Sequence, residues 1–419
     1  MHSLTISRIL RIPAAWLLVP ALWLGGCGGK GCAPSTPSAS KPVADAAAPG
    51  ATPESDAAKL LGAAARGNTA MVRQLLDDGV DVNASSNKGW TALMQASARG
   101  HARTVQLLLE RSANPNQKDN AGGSALTRAV KQGHKDIVGL LLNAGADPNT
   151  RTHNGWTALM DAAWDGRTDV IEVLLNHGAD IAAVDDSGAT ALMRAAGNGK
   201  IDALETLIGR GAKIDVADSK GVTPLMVAAL QKQPGTVTAL IAKGAPVNAQ
   251  DQAGSTALLA AASVGHRPTI ETLLDAKADV NLERKDGTTP LMLAAESGQT
   301  DAVEVLLARG ANLQAKARDG TTALLAAAGA GDADVVKLLL DKGADPKGTN
   351  VEEKTALILA VESGDVDTVR VLTTSGVDLN AKDEDGNTAL EIAKDEEEDE
   401  IIDVLRQARK GAGSAQRSD

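Results

Sequence analysis

Phenylalanine and tyrosine are absent from the 419 residues, and tryptophan occurs only five times. A core of stacked rings is therefore excluded, and any hydrophobic interior must be aliphatic. Cysteine occurs twice, as Cys27 and Cys32, so no disulfide framework supports the rest of the chain. Histidine numbers six. Of these, His101, His134 and His266 share one recurring position, His153 falls on a turn and His177 near a helix end. None pairs with a Ser or Cys nucleophile in a recognisable motif, and zinc-type ligand spacings are missing as well. Lys and Arg total 42 against 53 Asp and Glu, for a net charge of −11, and few basic residues fall in one stripe. Binding to nucleic acid depends on neutralising phosphates, so no nucleic acid partner is expected. The chain reads as a non-enzyme without cofactor or metal.

What the chain does have is a 33-residue register. It runs from Gly89 through Gly122, Gly155, Gly188, Gly221, Gly254, Gly287 and Gly320, then past Glu353 to Gly386. Two leucine columns keep the same step, one from Leu60 to Leu390 and one from Leu75 to Leu405, as does an alanine column from Ala63 to Ala393. Eleven units with side chains at fixed phase imply one supersecondary element stacked on copies of itself.

The stretch from Asp185 to Asp215 shows one unit. Asp185-Asp186-Ser187-Gly188 is turn chemistry, and Thr190 stands where a helix N-cap hydroxyl is wanted, ahead of Leu192, Ala195 and Ala196. Every other unit from Thr91 onward has Thr or Ser there. A short helix ends near Gly199, and a second follows with Leu204, Leu207 and Ile208 facing inward. Gly211-Ala212 closes it. Helix, turn, helix and β-turn in 33 residues resembles the ankyrin repeat. The family wording is matched at Gly287-Thr288-Thr289-Pro290-Leu291-Met292-Leu293-Ala294-Ala295 and at Gly145-Ala146-Asp147-Pro148-Asn149. The resemblance implies an all-α fold, an ankyrin-repeat α-solenoid of helix-turn-helix units joined by β-hairpin turns, with about eleven repeats. Layers about 8–10 Å apart would give a stack about 100 Å long with a curved groove.

Departures from the family pattern carry expectations of their own. The His after Leu is replaced by Met94, Thr127, Met160, Met193, Met226, Leu259, Met292, Leu325, Ile358 and Glu391, and Pro survives only at Pro224 and Pro290. Apolar packing is therefore expected in place of most loop-to-loop hydrogen bonding. The unit from Gly221 has Lys232-Gln233-Pro234 in place of its interhelix Gly, which predicts a local irregularity. The acidic run Asp395 to Glu400, followed by Ile401, Ile402 and Leu405, reads as a solubilising C-terminal cap.

The domain reading is residues 1–26 as a lipoprotein signal peptide, 27–55 as a lipidated Cys and disordered tether, 56–408 as the ankyrin repeats and 409–419 as a disordered tail. Arg8 and Arg11 precede the apolar run Ile12 to Leu24, which reaches only about 20 Å as a helix against a hydrocarbon core of roughly 30 Å. Leu24-Gly25-Gly26-Cys27 resembles a bacterial lipobox, which implies diacylation of Cys27 and cleavage before it. By the sorting rule that this resemblance implies, Gly28 in place of Asp points to the outer membrane, with the repeats facing the periplasm and the inner membrane or cell surface as alternatives. Gly28 to Ser55, with Pro34, Pro37, Pro42, Pro49 and Pro53, cannot bury a core. Cys32 reads as a passenger there.

The mature chain would keep only Trp90, Trp156 and Trp164. The ankyrin resemblance implies that such positions project into the concave groove. Aromatic residues are enriched at binding hot spots, so these three are the expected partner-binding residues; the alternative is that each ring lies flat on a neighbouring turn and stabilises it. The expected function is a lipid-anchored, monomeric protein-binding module of the bacterial envelope, such as an immunity or inhibitor protein. A multi-partner scaffold or stress-defence protein is the alternative.

Overall fold

The computed structural model describes residues 55–415, and among them are twenty-two helices and no strand. They form eleven pairs, named here units one to eleven in chain order. Unit five shows the pattern, with a first helix at Ala191–Gly197 and a second at Ile201–Gly209. From Thr91 to Thr388, each unit's Thr or Ser stands in extended backbone and accepts the N–H three residues on, as Thr190 does from Met193. Each such cap contributes about 1 kcal/mol. Helices of seven to ten residues are not stable alone. Their stability comes from stacking: each first helix packs on its own second helix and on the first helices of the units beside it, and second helices pack likewise.

The register columns are the core. Every Ala from Ala63 to Ala393 has no accessible surface, and the leucines of the second-helix column are buried from Leu75 to Leu405. Leu204 and Leu207 are fully buried, whereas Ile208 at the edge is half-buried. Ile401, Ile402 and Leu405 are buried against the stack, as the cap reading requires. The last helix runs Asp399–Ala415, so it continues past the boundary at 408, and Arg409 donates to the Leu379 carbonyl at 2.9 Å. Residues 1–54, with Cys27, Cys32 and the Pro-rich segment, and residues 416–419 lie outside the described part.

The turns pair as hairpins, with single antiparallel bridges at Ser85 to Thr91, Val184 to Thr190, Thr349 to Thr355 and Lys382 to Thr388, short because the capping Thr starts a helix after one extended residue. The loop expectation is corrected. Loop-to-loop hydrogen bonding is retained, not exchanged for apolar packing. In nine successive junctions a turn N–H donates to the carbonyl just before the register position of the previous unit, from Asn120 to Lys88 (3.1 Å) through Ser219 to Ser187 (3.2 Å) to Glu384 with Glu352 (3.1 Å). Asn side chains add a second row: the Asn149 Oδ1 accepts from Asp180 N at 2.7 Å, and its Nδ2 donates to Gly178 O at 3.0 Å. The backbone supplies what the missing His side chains do not.

Five non-glycine residues have positive φ: Ser112, Lys232, Lys277, Glu353 and Glu397. Each occupies a column that is glycine in neighbouring units. Lys232 adopts φ 57 and Pro234 begins the next helix, so the unit from Gly221 keeps the regular geometry. At the turn column, Gly320 has φ 80, and a Cβ there would stand 2.9 Å from Asn350 Cα. Glu353 meets the same backbone demand with a side chain attached. Glu353→Gly is expected to raise the unfolding free energy by about 0.5–1 kcal/mol, and Gly320→Ala to lower it by more than about 1 kcal/mol. Urea denaturation followed by far-UV circular dichroism reads both.

Candidate functional site

The turns hold Trp90 and Trp156 by their backbones. The Ser86 hydroxyl accepts from Trp90 N at 3.1 Å, and the Thr152 hydroxyl accepts from Trp156 N at 3.1 Å. Trp90 O and Trp156 O accept in turn from Ser86 N and Thr152 N, both at 2.9 Å. Each ring is thereby carried onto the face of the first helices, half-buried. Trp164 lies near the end of the first helix of unit four, Ala158–Asp165, and its carbonyl accepts from Asn198 at 2.6 Å. The structure brings Trp156 and Trp164 together, with ring centres 6.0 Å apart and planes tilted by 60°. Trp90 stands two units earlier.

Two arginines cover two of these rings. The Arg128 guanidinium lies 4.5 Å from the centre of Trp90, and Arg194 lies 4.4 Å from that of Trp156. Each arginine comes from the unit after its tryptophan and is paired with the turn aspartate of its own unit, Asp119 for Arg128 and Asp185 for Arg194. One aspartate oxygen takes the guanidinium. The other accepts turn N–H groups, Ala121 and Gly123 at 2.9 Å each in one case, Ser187 at 2.8 Å and Ala189 at 3.1 Å in the other. The Arg194 and Asp185 side chains are only 4% and 2% exposed. Burial alone would raise the Asp185 pKa, but hydrogen bonds from Ser187 and Arg194 together outweigh it and hold it below the ordinary value. Asp119 is likewise held low, by Arg128 and the N–H groups of Gly123 and Ala121 against its burial.

The arginine units have a small residue where the tryptophan units have a ring. A Cβ on Gly123 would stand 3.0 Å from the Arg128 guanidinium and 3.2 Å from Asp119, and unit five has a fully buried Ala189 at that position.

Between the two arginines in the same helix column stands Asp161 of unit four. It accepts no hydrogen bond from the described residues. Burial raises its pKa to about 6; Lys131 and Arg128 pull it down, and Asp165 pushes it up. Asp119, Arg128, Asp161, Asp185 and Arg194 were not among the expected site residues. The nine-residue spacing of Asp119 to Arg128, repeated at Asp185 to Arg194 one unit after each turn Trp, was the available signal.

The histidines serve the stack. His101 Nε2 lies 3.1 Å from the Ala65 carbonyl of the previous unit, and His266 Nδ1 lies 2.8 Å from the Thr269 hydroxyl. Among the described residues, no group of three or more His, Cys, Asp or Glu could hold a metal ion.

These environments act oppositely on stability as pH changes. The depressed Asp119 and Asp185 contribute stability above the unfolded value of 3.8, lost as pH falls through their folded values. The folded chain holds the Asp161 proton more tightly than the unfolded chain, so stability falls as pH rises from about 4 through about 6. Asp161→Asn is expected to remove that loss and raise the melting midpoint at pH 7. Asp185→Asn leaves Arg194 buried opposite a neutral group and is expected to cost about 3 kcal/mol. Thermal melts across pH 4–8 check both.

The chain matches the family described as Ankyrin repeats (3 copies) over residues 60–152, 126–218, 159–251, 225–317, 259–350 and 324–414. No curated protein matches it. With these matches spanning nearly all the described helices, the chain belongs to the ankyrin-repeat family, an architecture for protein–protein interaction.

Proposed function

We propose that the repeat stack docks a protein partner against the face bearing Trp90, Trp156 and Trp164, and that a lipid on Cys27 tethers it as a monomer to the bacterial outer membrane, facing the periplasm. The observation that carries the reading is the confinement of every tryptophan ring of the described residues to this one face. Their backbones are fixed, their surfaces are partly open, and none of the three indole N–H groups has an acceptor among the described residues. Rings with one apolar body and one unsatisfied polar tip suit an interface where one partner is protein and the rim is wet. The arginines behind Trp90 and Trp156 pre-set the rings, so little side-chain freedom is lost on binding.

The rings occur only in units two and four. Such a concentrated patch favours one folded partner over several, as in an immunity or inhibitor protein that sequesters a single target. Leu24-Gly25-Gly26-Cys27 supports lipid anchoring, and Gly28 supports the outer membrane.

Affinity capture from detergent-solubilised membranes tests the docking face. Trp156→Ala and Trp164→Ala together are expected to weaken retention of the partner at least tenfold, by removing about 2 kcal/mol or more of hot-spot contact, with helicity retained. Unchanged retention overturns the reading. Mass spectrometry of the mature protein is expected to find Cys27 as a diacylated first residue, and an unmodified N-terminus overturns the anchoring.

A further inference from the structure

We infer that this face seats a basic side chain, lysine or arginine, presented by the partner protein, with the Asp161 carboxylate as its counter-ion and the Trp156–Trp164 pair as its aromatic wall. The inference rests on the docking reading above and specifies its chemistry.

Asp161 and Trp164 lie three residues apart on one helix and so share a face. Trp156 joins them from the turn, 6.0 Å from Trp164 between ring centres. The charged groups around Asp161 are unequal. Arg128 and Arg194, in its column on either side, are each bonded to an aspartate of their own unit and stacked on a ring. Asp165 adds negative charge and pairs with Arg167 at 3.2 Å. The exposed Lys131 acts on Asp161 only through space. Asp161 is half-buried and accepts no hydrogen bond from the described residues, so a donor from outside supplies a bond that the stack does not.

The alternatives fit worse. An acidic partner would meet Asp161 and Asp165 with both arginines already taken, and an apolar one would seal a carboxylate in without a donor. A cation gains a charge-assisted hydrogen bond and an aromatic face at once. The chain's net charge of −11 draws such a partner in. Unit ten places a cation on the same columns by other residues, with Leu359 at the position of Asp161. Lys354 and Glu362 occupy there the register positions of Trp156 and Trp164, and the Lys354 ammonium rests 2.9 Å from Glu362 and 3.1 Å from Glu352.

The test titrates the full chain with acetylated, amidated tetra-arginine at low salt and follows tryptophan fluorescence, with tetra-glutamate as control. Saturable binding of tetra-arginine alone is expected, weakened about tenfold or more in Asp161→Asn. In the wild type it is expected to weaken as pH falls from about 7.5 to about 5, while the variant's residual binding stays flat. Because Asp161→Asn is expected to melt higher at pH 7, lost binding with a retained or raised midpoint separates recognition from folding. Equal binding by wild type and variant, an equal response to tetra-glutamate, or wild-type binding that ignores pH overturns the inference; the last requires no variant. If partner capture depends on Trp156 and Trp164 but not on Asp161, the cation seat fails while the docking face stands.

Discussion

The spacing of this stack is fixed where one turn's N–H reaches the carbonyl that precedes the register position of the turn before it. Nine junctions repeat that bond between 2.8 and 3.4 Å. The contact is between backbones, and the glycine column eases it by supplying positive φ and clearance. With the turns locked at this separation, the Ala column of the first helices closes to zero exposure and the leucine columns meet. The core is a consequence of the turn contact as much as of hydrophobicity. Where Glu353 replaces the glycine, Glu384 still donates to Glu352 at 3.1 Å, which shows how firmly the neighbours impose the backbone.

The aromatic face is built on the same lock. An arginine can lie over a tryptophan of the preceding unit only if both units stand at fixed distance and phase. Asp119 and Asp185 then do two jobs with two oxygens, closing the turn with one and aiming the guanidinium with the other. Asp161, in the column of Arg128 and Arg194, has neither job. Its environment disfavours its charge, a local cost that the surrounding stack supports, as is common where a surface is shaped for recognition.

The architecture was legible in the residues because repetition averages out noise. Leu192, Ala195 and Thr190 each belong to columns ten or eleven members deep, and their burial and capping follow from position alone. The turn-to-turn bonds were not legible, since main-chain groups leave no mark in side-chain identity; the loss of His after Leu therefore suggested a loss of hydrogen bonding that did not occur. The site was half legible. Scarcity pointed to Trp90, Trp156 and Trp164, but a column shows which residues align, not which neighbour reaches across to the next unit. Arg128, Arg194 and Asp161 are of common residue types and carry no such mark of scarcity. The final helix overran its expected end at 408 because the register stops there, while its helical backbone runs on to Ala415.

The small residues beside the arginines set a rule for how such a surface can grow. Gly123 and Ala189 stand close against the ion pairs of their own units, so each ring-bearing layer here is followed by a layer with a small residue at the same position. The two ring-and-arginine pairs, Trp90 with Arg128 and Trp156 with Arg194, are 66 residues apart although the fold's step is 33. For this part of the face the unit of decoration is a pair of layers, one that brings the ring and one that covers it.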